Sequence, residues 1–120
     1  MSNERLLEIR TYRIADGQRD EFGRRVAAVV PMLSRYGIDL VGHGPSIEDE
    51  QHYVLLRSFA SLDELNQQEA AFYGGEEWQR GPRDSILEHI ETYHTVVLRS
   101  TEAAVRALAD SLGTRVSGSG

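Results

Sequence analysis

The sequence predicts an α+β domain, an antiparallel sheet carrying its two crossover helices on one face, with elements in the order β-α-β-β-α-β and a final helix. Three observations predict it. Residues 6–14 alternate across a strand. Phe22, Val26, Val29, Val30, Leu33 and Tyr36 recur at three- and four-residue steps, as one helix face does. Ser61-Leu62-Asp63-Glu64 has the capping-box pattern that opens a second helix after two closely spaced strands.

In the first strand Glu8, Arg10 and Tyr12 share one face, and Leu7, Ile9 and Thr11 share the other. The apolar face is expected to pack on helices, and the acid, guanidinium and phenol to line a polar cavity. Ala15-Asp16-Gly17 is turn chemistry. The first helix ends at Gly37, with a kink or loosened turn expected at Pro31. Ile38 to Val41 reads as the second strand, running into Gly42-His43-Gly44-Pro45, and His52 to Phe59 as the third.

The second helix carries Leu62, Leu65, Phe72 and Tyr73 and stops at Gly74-Gly75. A further turn is expected around Trp78, then a short helix from Asp84 to His89 with Ile86 and Leu87 inward. Ile90 to Leu98 is the fourth strand. Thr101 to Leu112 is the last helix, with Ala104, Val105, Leu108 and Leu112 on one side. Residues 1–113 are thus one domain, and 114–120, rich in Gly and Ser, a flexible tail. This order is the ferredoxin-like arrangement. It leaves one sheet face bare, for which Val41, Leu55, Phe59, Tyr93 and Val97 are candidates. Closing that face against a second copy predicts a homodimer.

The composition narrows the function. In 120 residues there is no cysteine, hence no disulfide, thiolate nucleophile or thiolate metal site, which fits the cytoplasm. A net charge of -6 argues against non-specific nucleic-acid binding. No apolar run approaches the ~18 residues of a spanning helix, and the polar start Met1 to Arg5 lacks a signal-peptide core, so no membrane association is expected. The four histidines form no metal-binding pattern, so no metal is expected, although a single-histidine haem ligand stays open.

Several residues are candidates for chemistry. Arg10 would bind an anionic or carbonyl oxygen, Tyr12 would donate a proton, and Glu8 would orient Arg10; the alternative is a structural ion pair. His43, between two glycines, is a candidate general base, or a turn residue. His94 lies mid-strand and faces either the helices or the cavity. Tyr53 and Arg57 share a face of the third strand, where Arg57 could oppose Glu8. Trp78 is a cavity lid or a core plug, and His52 and His89 are expected to face solvent.

Glu8-x-Arg10-x-Tyr12 resembles the opening motif of the NIPSNAP family. Gly37-Ile38-x-Leu40-Val41-Gly42 resembles that family's second strand, and Pro31, Ser61-Leu62, Phe72-Tyr73 and Glu77-Trp78 fall where similar signals stand. The resemblance spans roughly residues 6 to 99 and implies a dimeric α/β-barrel. That superfamily also holds small monooxygenases, cyclases, isomerases and haem-degrading enzymes, so fold alone does not name a reaction. Glu8, Arg10, Tyr12 and Trp78 carry over as motif positions; His43 departs from the pattern, which has an aromatic after the Val-Gly pair, and His94 matches none of it.

These observations lead to a cofactor-free enzyme moving protons on a small carbonyl or aromatic metabolite, by isomerisation, cyclisation or elimination. His43 or His94 would be the base, Tyr12 the acid, and Arg10 with Arg57 would hold negative charge, with Glu8, Tyr53 and Trp78 lining the site. Two alternatives are a cofactor-independent monooxygenase on a phenol and a non-catalytic binding or assembly protein.

Overall fold

The computed structural model describes residues 3–113; the tail expected over 114–120 lies outside them. Its elements are β1 (Glu4–Ile14), α1 (Arg19–Arg35), β2 (Asp39–Pro45), β3 (His52–Phe59), α2 (Leu62–Tyr73), α3 (Glu76–Arg80), α4 (Arg83–Leu87), β4 (Ile90–Thr101) and α5 (Glu102–Ser111). The strands form a single antiparallel sheet in the order β2-β3-β1-β4, which is the ferredoxin-like topology.

Local chemistry sets the element ends. α1 runs through Pro31 to Arg35. It stops in a Schellman turn: Gly37 N–H donates to Ser34 O, Ile38 N–H donates to Leu33 O, and Gly37 takes φ +77°. Ser61 Oγ accepts from Glu64 N–H at 3.1 Å, capping α2 as its sequence predicts. Thr101 caps α5 in the same way through Ala104 N–H.

The register corrects the face assignment. Glu8 lies opposite Arg57, Arg10 opposite Leu55, and Tyr12 opposite Tyr53. This whole face, and not the Leu7-Ile9-Thr11 face, lies under α1 and α2. Parity explains it, because Ile14 continues the Glu8 face. Ile14, Tyr12, Tyr53, Leu55 and Phe59 join Phe22, Val26, Val29 and Leu33 of α1 and Leu65 and Phe72 of α2 in one core. Leu55 and Phe59, expected on the bare face, are therefore core residues. Tyr93 and Val97 also register with the helix side, opposite Tyr12 and Glu8, but stay exposed because β4 is an edge strand.

Val41 does lie on the second face. It follows Leu40, which opposes Arg57 on the other side, and packs against Val105 and Ala109 of α5 with Leu7, Leu56 and Leu108 around them. α5 thus covers one end of this face and leaves Val96 and Leu98 half exposed. Leu62, Leu87 and Leu112, expected to point inward, are exposed. No helix among the described residues is long and apolar enough to cross a membrane.

Phe22 is fully buried and meets both Tyr12 and Tyr53 edge-on at 5.2 Å, so it joins α1 to the sheet. Phe22→Ala should cost about 3–5 kcal/mol of unfolding free energy in urea titration. A loss under about 1 kcal/mol would show that α1 is held elsewhere.

Candidate functional site

A cavity of about 560 Å³ opens between the helices and the β1–β4 side of the sheet. Arg10 and Tyr12 of β1, Glu69 and Tyr73 of α2, Trp78 of α3 and Tyr93 of β4 line it, with Ile86, Leu87 and Ile90 supplying apolar wall. Its size suits a small organic molecule.

Behind this wall lies an ion cluster centred on Arg57, which is completely buried. Arg57 Nε and Nη2 both donate to Glu8 Oε1, at 2.7 and 2.6 Å. Its Nη2 also reaches Glu69 Oε2 at 3.1 Å, and its Nη1 donates to Tyr73 Oη at 2.8 Å. Every contact is short, and together they take up four of the five N–H donors of this guanidinium.

Arg10 is held differently. Its Nε donates to Thr95 Oγ1 at 3.0 Å and its Nη1 to Tyr73 Oη at 3.3 Å, while its carboxylate contacts are long, 3.5 Å to Glu8 and 3.8 Å to Glu69. The guanidinium lies over the Tyr93 ring at 5.2 Å and the Tyr73 ring at 5.9 Å. It borders the cavity, whereas Arg57 does not.

Charge is distributed unevenly. Burial opposes ionisation of Glu8, but its link to Glu69 and the charges of Arg57 and Arg10 outweigh it, and its carboxyl sits below the ordinary range. Burial pushes the Glu69 carboxyl up to about 7, with the link to Glu8 adding to the rise and Arg57 resisting it. Burial also opposes the charge of both guanidiniums; Tyr73 and the acids more than offset it, and both stay protonated. Burial lifts the Tyr12 phenol to about 12, which makes it a hydrogen-bond donor rather than a ready proton source.

The sequence-predicted residues divide accordingly. Glu8, Arg10, Tyr12, Arg57 and Trp78 come together; Trp78 is buried against Phe72 and Tyr73, so it is at once a core plug and a cavity wall. His43 and Tyr53 stand apart from the cavity. The β2 bulge brings His43 to the helix side, where its Nδ1 lies 2.6 Å from Tyr53 Oη, and burial lowers its pKa. Phe22 packs edge-on against both Tyr53 and Tyr12, and neither His43 nor Tyr53 lines the cavity.

His94 pairs with Thr11 on the opposite sheet face and is exposed. His89 is buried rather than solvent-facing, its Nδ1 2.6 Å from Gln18 Oε1, while His52 is exposed as expected. Among the described residues no group of three or more histidines, aspartates and glutamates could hold a metal ion.

The sequence reading does not single out Glu69, and it gives Tyr73 only as a helix residue and as part of the Phe72-Tyr73 family signal, not as a site residue. Both sit on the apolar stripe of α2, in the series Leu65, Glu69, Phe72, Tyr73. A carboxylate interrupting such a stripe was the available signal.

The family model for NIPSNAP matches residues 7–104. The chain belongs to the NIPSNAP family. Among solved structures, a NIPSNAP family protein of unknown function from Agrobacterium tumefaciens is 24% identical, with a TM-score of 0.73 over 84% of this chain and 92% of that one. An uncharacterised NIPSNAP domain protein from Burkholderia xenovorans is 22% identical, with a TM-score of 0.70 over 78% of this chain and 91% of that one. A candidate antibiotic biosynthesis monooxygenase from Bordetella bronchiseptica is 21% identical, with a TM-score of 0.63 over 81% and 95%. At these identities the likeness is one of fold. None of the curated proteins matches the chain.

Arg57→Met leaves Glu8 buried without its main counter-charge and should cost about 3–5 kcal/mol in urea unfolding. Adding Glu8→Met should recover part of that loss, because the unpaired ion is gone. If Arg57→Met unfolds at the unmodified midpoint, the cluster does not hold the sheet to α2.

Proposed function

We propose that this NIPSNAP protein is a small-molecule enzyme working by cofactor-free acid/base chemistry on a carbonyl-containing or aromatic metabolite. One observation carries the reading: two guanidiniums donate to Tyr73 Oη beside a cavity that also presents Glu69. A phenol oxygen has two acceptor positions and one proton. With both acceptors occupied, Tyr73 has its O–H left to offer a substrate oxygen, and the two cations behind it strengthen that donor.

Glu69 supplies the other half. A carboxyl titrating near neutrality is present in both forms and can accept or return a proton. Glu69 would take a proton from carbon beside a carbonyl, while the electron pair moves onto the carbonyl oxygen held by Tyr73 and Arg10. Return of the proton at another atom completes an isomerisation. This reading moves the base from His43 and His94 to Glu69, since neither histidine borders the cavity.

The phenol and indole rings of the wall also suit a second reading, cofactor-independent oxygenation of a phenol, and a relative from Bordetella bronchiseptica carries a candidate monooxygenase name. Oxygen uptake with a candidate phenol separates the two. Homodimerisation over the sheet face that exposes Val96 and Leu98 belongs to the same proposal. Native mass spectrometry should show the dimer; a monomer would remove it.

Hydrogen–deuterium exchange tests the chemistry. Enolisable aryl ketones and keto acids, incubated with the protein in heavy water, should exchange protons beside the carbonyl. Glu69→Gln should abolish catalysed exchange, and Tyr73→Phe should slow it by about 10²–10³-fold. Full exchange by Glu69→Gln would refute its role, and no exchange across the panel would favour a non-catalytic binding or assembly protein.

A further inference from the structure

We propose that the cavity takes a planar aromatic carboxylate, with the carboxylate seated on the Arg10 guanidinium and the ring among Tyr73, Trp78 and Tyr93. The inference rests on the binding cavity proposed above and narrows its ligand to an anion. It follows from the unequal treatment of the two arginines.

Arg57 spends its donors on Glu8, Glu69 and Tyr73 at 2.6–3.1 Å and is not among the residues that line the main cavity. Arg10 stands at the cavity edge, and its Nη2 meets carboxylates only at 3.5 and 3.8 Å. Such distances are beyond a good charge-assisted hydrogen bond. A guanidinium so placed has a donor edge to give to an incoming carboxylate, and its planar fork matches that group.

The surroundings select the rest of the ligand. The Tyr73 and Trp78 rings stand nearly perpendicular, 5.2 Å apart, and Tyr93 carries Arg10 across its face. Ile86, Leu87 and Ile90 add apolar surface. A flat apolar body with one anionic end satisfies both parts of the lining, whereas an aliphatic dianion would leave the rings unused and a neutral arene would leave Arg10 unanswered.

Glu69 couples this binding to pH. The groups facing it are Glu8 and Arg10 of β1 and Arg57 of β3; Tyr12 of β1, Tyr73 of its own helix, and Tyr93 and Glu91 of β4 line the same cavity. When Glu69 carries its proton, two guanidiniums face the single carboxylate of Glu8, and the site has a charge to spare. When Glu69 ionises it neutralises that charge and repels an anion. Arrival of a carboxylate raises the Glu69 pKa further, so binding takes up a proton.

Benzoate and benzamide have the same shape and differ in charge, and Trp78 is the only tryptophan in the chain. Calorimetry, with Trp78 fluorescence as a second reading, should find benzoate bound at least about tenfold more tightly than benzamide. Benzoate affinity should rise as pH falls from about 8 to about 6, with proton uptake in buffers of different ionisation enthalpy. Arg10→Met should remove the preference for benzoate, and Glu69→Gln should remove the pH dependence.

If benzamide binds as well as benzoate, the anion assignment is overturned while the cavity stands. If neither ligand binds or perturbs Trp78, both are overturned. A benzoate affinity that does not change with pH refutes the coupling to Glu69. The comparison of the two ligands uses the unmodified protein, so it holds even if a variant fails to fold.

Discussion

A guanidinium without solvent contact cannot stay in a sheet unless anions surround it, and Arg57 is the charge around which this fold is arranged. Removing an ion from water costs several kcal/mol, and only short, well-directed partners return that cost. Glu8 meets the requirement from the neighbouring strand, in register, at 2.6 and 2.7 Å. The remaining donors of Arg57 bind two residues one turn apart on α2, Glu69 and Tyr73. One cation thus joins β1, β3 and α2 and places the polar wall of the cavity.

The same arrangement makes the two carboxylates unequal. Glu8 lies under both guanidiniums and stays ionised; Glu69, at the border of the cavity, takes the burden of burial and of a like-charged neighbour. Buried carboxyls that share counter-charges commonly separate in this way. The acid with the raised pKa is the one in contact with open space. A structural ion pair and a carboxyl raised toward neutrality therefore arise from one cluster.

The strand and helix order was legible because capping and turn signals fall where the period changes, as at Ser61 and Gly37. The orientation of β1 was not. Leu7 and Ile9 made the odd face look like the core face, and an ion pair hidden among aromatics has no marker in one strand alone. Arg57 opposite Glu8 could be suggested from alternation, but which face the helices cover is decided by Ile14, Tyr12 and Phe22 packing together. His43 drew attention by its glycines, and the bulge that turns it toward Tyr53 depends on strand pairing. Glu69 is the instructive omission: its charge interrupts an apolar helix stripe, which is where a buried partner for a buried arginine has to lie.

Burial and the neighbouring Glu8 hold Glu69 poised to carry a proton near neutral pH. Carbon-13 NMR of the Glu69 side-chain carboxyl, followed through a pH titration, measures this directly. The account predicts a midpoint of about 7 for Glu69, with Glu8 still ionised below the ordinary carboxylate range. A midpoint for Glu69 at the ordinary value of 4.5 would contradict it, and would leave the cluster a structural tie without a proton to move.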